Sequence, residues 1–345
     1  MPMHLPILLI ASLLNFQPAA AAEDPAYSAA IDGLQASEPM ARRKAVEDLA
    51  RLWRPEAAKP LMKLLSDENI FVRAAAVDTL AIRHAQEAAP KILELLRKDP
   101  AAQVRQQSAV SLAYLSDASA EEALIGALSD EAPAVRYAAT RTLGALRSQK
   151  AVPALAEALK GTDAPMRLSA AAALGQIRSP QAAEVLRLLL NDPDQALRRE
   201  ALKSLGQMPS SVSTETLKKS LADADPGTRL QAAIALAKAG DASGEAAAVS
   251  MLSSSEDNLR MQAANCLGLI GSKSKALPAL AAAEAVEKNP AVKQNLSANL
   301  AQLKARFGVT DTPAPAAEAA PEKPASAKPS VKPPAKKKAS PAKKP

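Results

Sequence analysis

The residues best placed to do chemistry in this chain are arginines and aspartates at a fixed interval. Arginine stands at Arg42, Arg73, Arg105, Arg136, Arg167, Arg198, Arg229 and Arg260, with steps of 31 residues and a single step of 32. Lys293 continues the column after a step of 33. Six residues before five of these positions lies an aspartate: Asp67, Asp99, Asp130, Asp192 and Asp223. A guanidinium and a carboxylate repeated together can make charge-assisted, bidentate hydrogen bonds. The aspartates also suit helix N-termini. This favours internal pairing over a nucleic-acid-binding stripe of arginines.

Catalytic chemistry has little to build on. Apart from His4 the only histidine is His84, and Cys266 is the sole cysteine. Repeated His ligands for zinc or iron are therefore missing, and serine nucleophile motifs lack a His partner. Cys266 occupies a column otherwise filled by small helix residues, including Ser111, Thr142, Ala173 and Ala235. It reads as one more of them, with a reactive thiol as the alternative. No enzymatic activity, cofactor or metal is expected.

The elements that must position the Arg–Asp pairs follow from the same register. Seven residues after each Arg-column position stands a leucine, in all nine copies from Leu49 to Leu300. Position +3 is mostly alanine and position +8 only alanine or glycine, so one stripe of a helix is apolar and closely approachable. Upstream lies a second apolar helical segment, with Pro60, Pro90, Pro153 or Pro278 near its start, where proline is tolerated. Each unit is thus helix A, a turn carrying the Asp, and helix B carrying the Arg. One unit cannot bury its stripe alone, but stacked neighbours can.

These nine units resemble HEAT repeats, in particular the phycobilisome-lyase-type HEAT-like repeats of bacterial proteins, over about residues 26–306. The resemblance implies an all-α fold: a right-handed α–α superhelix, or solenoid, of about nine 31-residue helix-turn-helix repeats. It also implies that Asp67, Arg73, Asp99, Arg105, Asp130, Arg136, Asp192, Arg198, Asp223 and Arg229 form a side-chain ladder along the stack. The Asp pattern fails at Ala36, Gly161 and Ser254, and becomes Glu287 with Lys293 in the last unit, so interruptions are expected there. Some such proteins handle bilins and others are di-iron hydroxylases with repeated His–Glu pairs. This chain has no such pairs and seven aromatic residues in 345, so neither activity is expected to transfer.

The resemblance further implies that B helices line the concave face. The outward columns there carry Gln107, Tyr114, Tyr137, Arg141, Leu168, Gln176, Arg199, Lys203, Gln207 and Lys238, together with Gln106, Val110, Leu230 and Leu269. Tyr, Leu and Arg among glutamines resemble interface anchors more than a solvated Glu/Lys face. The expected partner is a protein or peptide.

The ends differ from the array. Residues 1–22 hold an apolar run from Leu5 to Phe16 and then Ala19–Ala22, the form of a secretory signal cleaved before Glu23. Export to a periplasm or cell envelope is the expectation, with residues 23–308 as the solenoid. Residues 309–345 read as a disordered Lys/Pro/Ala tail. Eight lysines against three acidic residues give the tail +5 of the chain's formal +7. Lys332, Lys336, Lys337, Lys338, Lys343 and Lys344 are its candidate polyanion-binding residues. Such binding would be sequence-blind, because the tail has no aromatics to stack on bases.

Overall fold

The structure is a computed structural model that describes residues 24–115 and 119–309. The signal-like segment 1–22 and the tail lysines lie outside the described residues. The A helices are α1 (Pro25–Gly33), α3 (Ala58–Lys63), α5 (Ala89–Lys98), α7 (Ala120–Ala127), α9 (Val152–Ala158), α11 (Pro180–Leu188), α13 (Thr214–Lys219), α15 (Glu245–Met251) and α17 (Ala276–Val286). Their B partners are α2 (Pro39–Leu52), α4 (Ile70–Ile82), α6 (Ala102–Leu115), α8 (Pro133–Ala145), α10 (Ala164–Ile177), α12 (Gln195–Leu205), α14 (Pro226–Lys238), α16 (Asp257–Ile270) and α18 (Pro290–Phe307). No strand occurs among the described residues. Over the described residues the chain is an all-α solenoid of nine helical hairpins.

Local sequence starts and stops these helices. Asn69, Asp163, Asp194, Asp225 and Asn289 accept hydrogen bonds from first-turn N–H groups of the B helices that follow them. Pro39, Pro133, Pro226 and Pro290 sit at the first B-helix position. The A helices are shorter than the dozen residues that the repeat length suggests. They run from 6 residues in α3 to 11 in α17. Several trade a terminal turn for a 3-10 turn, as at Leu64–Ser66, Gln149–Ala151 and Ser220–Ala222.

The Leu column forms the spine of the core, from fully buried Leu49, Leu80, Leu112, Leu143, Leu174, Leu205, Leu236 and Leu267 to Leu300 at 5% exposure. Close B-to-B approach explains the small +8 residues. A Cβ on Gly206 would lie 3.0 Å from the Ala235 Cα of the next B helix. Thr142 Oγ1 donates to the Ala109 carbonyl of the preceding B helix at 2.9 Å. Adjacent B helices pack more closely than adjacent A helices do. A stack with one tight row curves toward it, which puts the B helices on the inner side. The tight row loosens between α14 and α16. The buried residues also divide there: Ala232, Ala235 and Leu236 of α14 belong to the larger cluster, Leu230 and Ala233 to the C-terminal one.

Candidate functional site: an ion-pair ladder and the B-helix groove

The Arg–Asp column is an inter-unit device. Arg42 Nε donates to Asp67 Oδ2 at 2.7 Å, and its Nη2 to Asp67 Oδ1 at 2.9 Å. Arg73 grips Asp99 the same way at 2.8 and 2.9 Å, Arg105 grips Asp130 at 2.8 and 2.9 Å, and Arg198 grips Asp223 at 2.7 and 2.9 Å. Arg167 reaches Asp192 through Nη2 at 2.6 Å. Each of these five arginines therefore pairs with the carboxylate of the following unit. Where its own unit carries an Asp, the arginine is joined to it through the backbone: Arg73 Nη1 donates to the Asp67 carbonyl at 2.7 Å. Each aspartate also accepts the N–H two residues on, as Asp99 does from Ala101 at 2.9 Å. The pairs are well buried, with side-chain exposures of 10% and 2% for Arg73 and Asp99.

Two of the four expected interruptions are corrected, while at Ala36 only the backbone carbonyl accepts, from Arg42 Nη1 at 3.0 Å. At Gly161 the carboxylate moves two residues along, to Asp163, which receives Arg136 Nη2 at 3.3 Å and the Tyr137 hydroxyl at 3.0 Å. Glu287 closes a full rung with Arg260, at 2.6 and 2.9 Å, because its longer side chain spans the same gap. Ser254 does open the ladder. Arg229 Nη1 donates to the Asp223 and Ala224 carbonyls at 2.8 and 3.0 Å, and Arg229 has no carboxylate partner among the described residues.

Charge pairing sets the protonation of these groups. Burial pushes the Asp67 and Asp130 carboxyls up, but Arg42 or Arg105 together with a backbone N–H outweighs it and holds both below the usual range. The Arg198 hydrogen bond lowers Asp223 despite burial. Arg260 and the Asn289 N–H bring Glu287 down to about 2. Burial raises the Cys266 thiol to about 12, so it stays protonated at neutral pH.

The outward face of the B helices is not uniform. Tyr114, Tyr137, Arg141 and Gln176 line one cleft of about 480 Å³ between α6, α8 and α10, together with Gln106 and Val110. Gln107 lies in the neighbouring depression with Phe71 and Ile82, where it donates to Asp78 at 2.8 Å. Leu168 is exposed on α10. The C-terminal members are otherwise engaged. Arg199 is held bidentately by Asp225 at 2.8 Å, a second inter-unit rung rather than a free contact. Lys203 pairs with Glu200 at 3.0 Å, and Gln207 accepts from Arg178 at 3.0 Å. Lys238 is exposed. Leu230 does not face outward; it is fully buried against the next unit. Sequence columns missed Phe71, which lies two residues before the Arg register, and the roles of Asp163 and Asp225. Their only signal is an Asp just before a B helix.

Stacked helical hairpins tied by a ladder define the protein as an α-solenoid. The HEAT-repeat family model matches residues 27–113, 89–173, 157–227 and 214–301, and the chain belongs to that family. Among solved structures, YibA of E. coli is similar at 19% identity and a TM-score of 0.50, over 74% of this chain and 96% of that one. The CpcE–CpcF complex of phycocyanin lyase from Nostoc sp. PCC7120 is similar at 21% identity and a TM-score of 0.39, over 71% and 95%. An engineered protein covers 82% of this chain and 92% of its own, at 22% identity and a TM-score of 0.43. No curated protein matches the chain. HEAT-repeat solenoids generally serve as protein-interaction scaffolds. No helix among the described residues is long and apolar enough to cross a membrane.

Proposed function

We propose that the protein is an exported, non-enzymatic scaffold that binds a protein or peptide along the inner face of its B helices. One observation carries this reading. Most of the exposed large apolar residues lie on B helices, with Phe71 and Ile82 on α4, Val110 and Tyr114 on α6, Leu168 on α10 and Leu269 on α16, whereas Leu188 and Val286 are exposed on the A helices α11 and α17. Exposed apolar and aromatic residues along one curved face mark interaction sites. Closed rungs from Arg42 to Arg198 fix the units that carry α4 to α10, so that their side chains are presented at a regular spacing. The signal-like residues 1–22 support export to the periplasm or cell envelope. The basic tail adds electrostatic attachment.

Crosslinking capture from a cell-envelope fraction tests the reading. It compares residues 23–345, residues 23–308 and the Tyr114→Ala/Arg141→Glu chain at low and high salt. Salt-resistant partners shared by the first two and lost in the third are expected. Capture that needs the tail and disappears in salt would move the function to the lysines from Lys332 onward, where binding by counterion release predominates. Mass spectrometry of the mature chain checks export, with Glu23 expected as its first residue.

A further inference from the structure

We propose that the cleft between α6, α8 and α10 takes an extended acidic peptide, one carboxylate resting on Arg141 and apolar side chains on α6 and α4. This rests on the B-helix face being the partner-binding surface. Arg141 is exposed and makes no hydrogen bond or ion pair among the described residues. Other inner-face cations are neutralised in place, Arg43 by Glu47, Lys44 by Asp48, Arg199 by Asp225 and Lys203 by Glu200, while the exposed Lys238 lies three units away on α14. Among the described residues no carboxylate lines the cleft, whose other walls are alanine, Val110, two tyrosines, Thr142 and glutamines; Asp163 is held behind it by the Tyr137 hydroxyl and Arg136. An uncompensated guanidinium over partly apolar walls selects a carboxylate with apolar neighbours and disfavours a basic segment. A nucleic acid would find one free cation here and few further phosphate partners.

The stack also sets the peptide's register. Neighbouring packed helices lie about 8–10 Å apart, and an extended chain advances about 3.3 Å per residue. One helix step is therefore roughly three residues. Val110 and Tyr114 of α6 lie one step from Arg141, and Phe71 and Ile82 of α4 two steps. Asp78 faces the second step and already accepts from Gln107, which excludes an acid there. The occupant carries an apolar residue roughly three and another roughly six positions from its acidic one.

The test is selection of a random dodecapeptide display library on the full mature chain, with the Arg141→Glu chain as counter-selection. Enriched peptides should share an acidic residue and apolar residues at those spacings. By fluorescence anisotropy, a labelled synthetic peptide of the enriched sequence should lose about tenfold in affinity for Arg141→Gln, the scale of one charged hydrogen bond. Tyr114→Ala should lose a similar factor, with circular dichroism showing both variants folded. Neutral or basic selected peptides, equal binding to Arg141→Gln, or no enrichment over the Arg141→Glu chain would overturn the proposal. If crosslinks from an envelope partner still map to the B helices in that event, the scaffold reading stands and only the peptide chemistry fails.

Discussion

The open rung at Arg229 allows a sharp test of what the ladder does. Ser254→Asp places a carboxylate where units with a closed rung hold one. Arg229 is already half-buried and pinned by the Asp223 and Ala224 carbonyls, so its remaining edge points along the stack. Ser254 Oγ already accepts from the Glu256 N–H at 3.2 Å, the same turn that Asp99 makes at 2.9 Å. Little reorganisation is needed. The nearby Glu256 and Asp257 do not forbid a rung, because Glu68 and Glu131 flank Asp67 and Asp130 in closed ones. A partly buried charged hydrogen-bond pair of this kind should add about 1.5–3 kcal/mol, reduced to roughly 1–2 by desolvation of the new carboxylate. The gain should appear at the loosest joint, between α14 and α16, as amide hydrogen exchange that the substitution slows more in α16–α18 than in α4–α8. A double-mutant cycle with Arg229→Ala isolates the pair. Equal stabilisation by Ser254→Asp with and without Arg229, or none at all, would refute the reasoning.

The closed rungs should respond in the opposite sense. Asp99→Ala leaves Arg73 buried and unpaired and should cost about 3–5 kcal/mol in urea unfolding, whereas Glu68→Ala, whose side chain is 82% exposed, should change stability by less than about 1 kcal/mol. Leu143→Ala empties a fully buried spine position and should cost about 2–5 kcal/mol. Acid should weaken the stack. Asp67, Asp130, Asp223 and Glu287 have folded pKa values below their ordinary 3.8 or 4.5, so their stabilisation is complete above those values and drains as pH falls toward about 2. The melting temperature should therefore drop between about pH 4.5 and 2, and a flat profile would contradict the ladder's charge state.

Sequence alone determined the repeat length, the two-helix unit, the Leu spine and the alternation of ladder residues. Each of these is encoded by helical period or by a local turn, and the same signal returns nine times. It also placed Tyr114, Tyr137, Arg141 and Gln176 on one outward face, because a column of the repeat is a direction on a helix. Which carboxylate each arginine meets was decided by tertiary structure. The reach from Arg73 to Asp99 depends on how far one hairpin is displaced from the next, and no interval within a unit states that offset. For the same reason Glu287 could replace an aspartate, and Asp163 could serve from two residues away. That Arg141 has no partner among the described residues is a tertiary fact too. Arg141 and Arg199 both sit on the outward side of B helices, but only Arg199 has an Asp from the next unit within 2.8 Å. Periodicity names the face, while the stacking geometry decides which charges on it are neutralised.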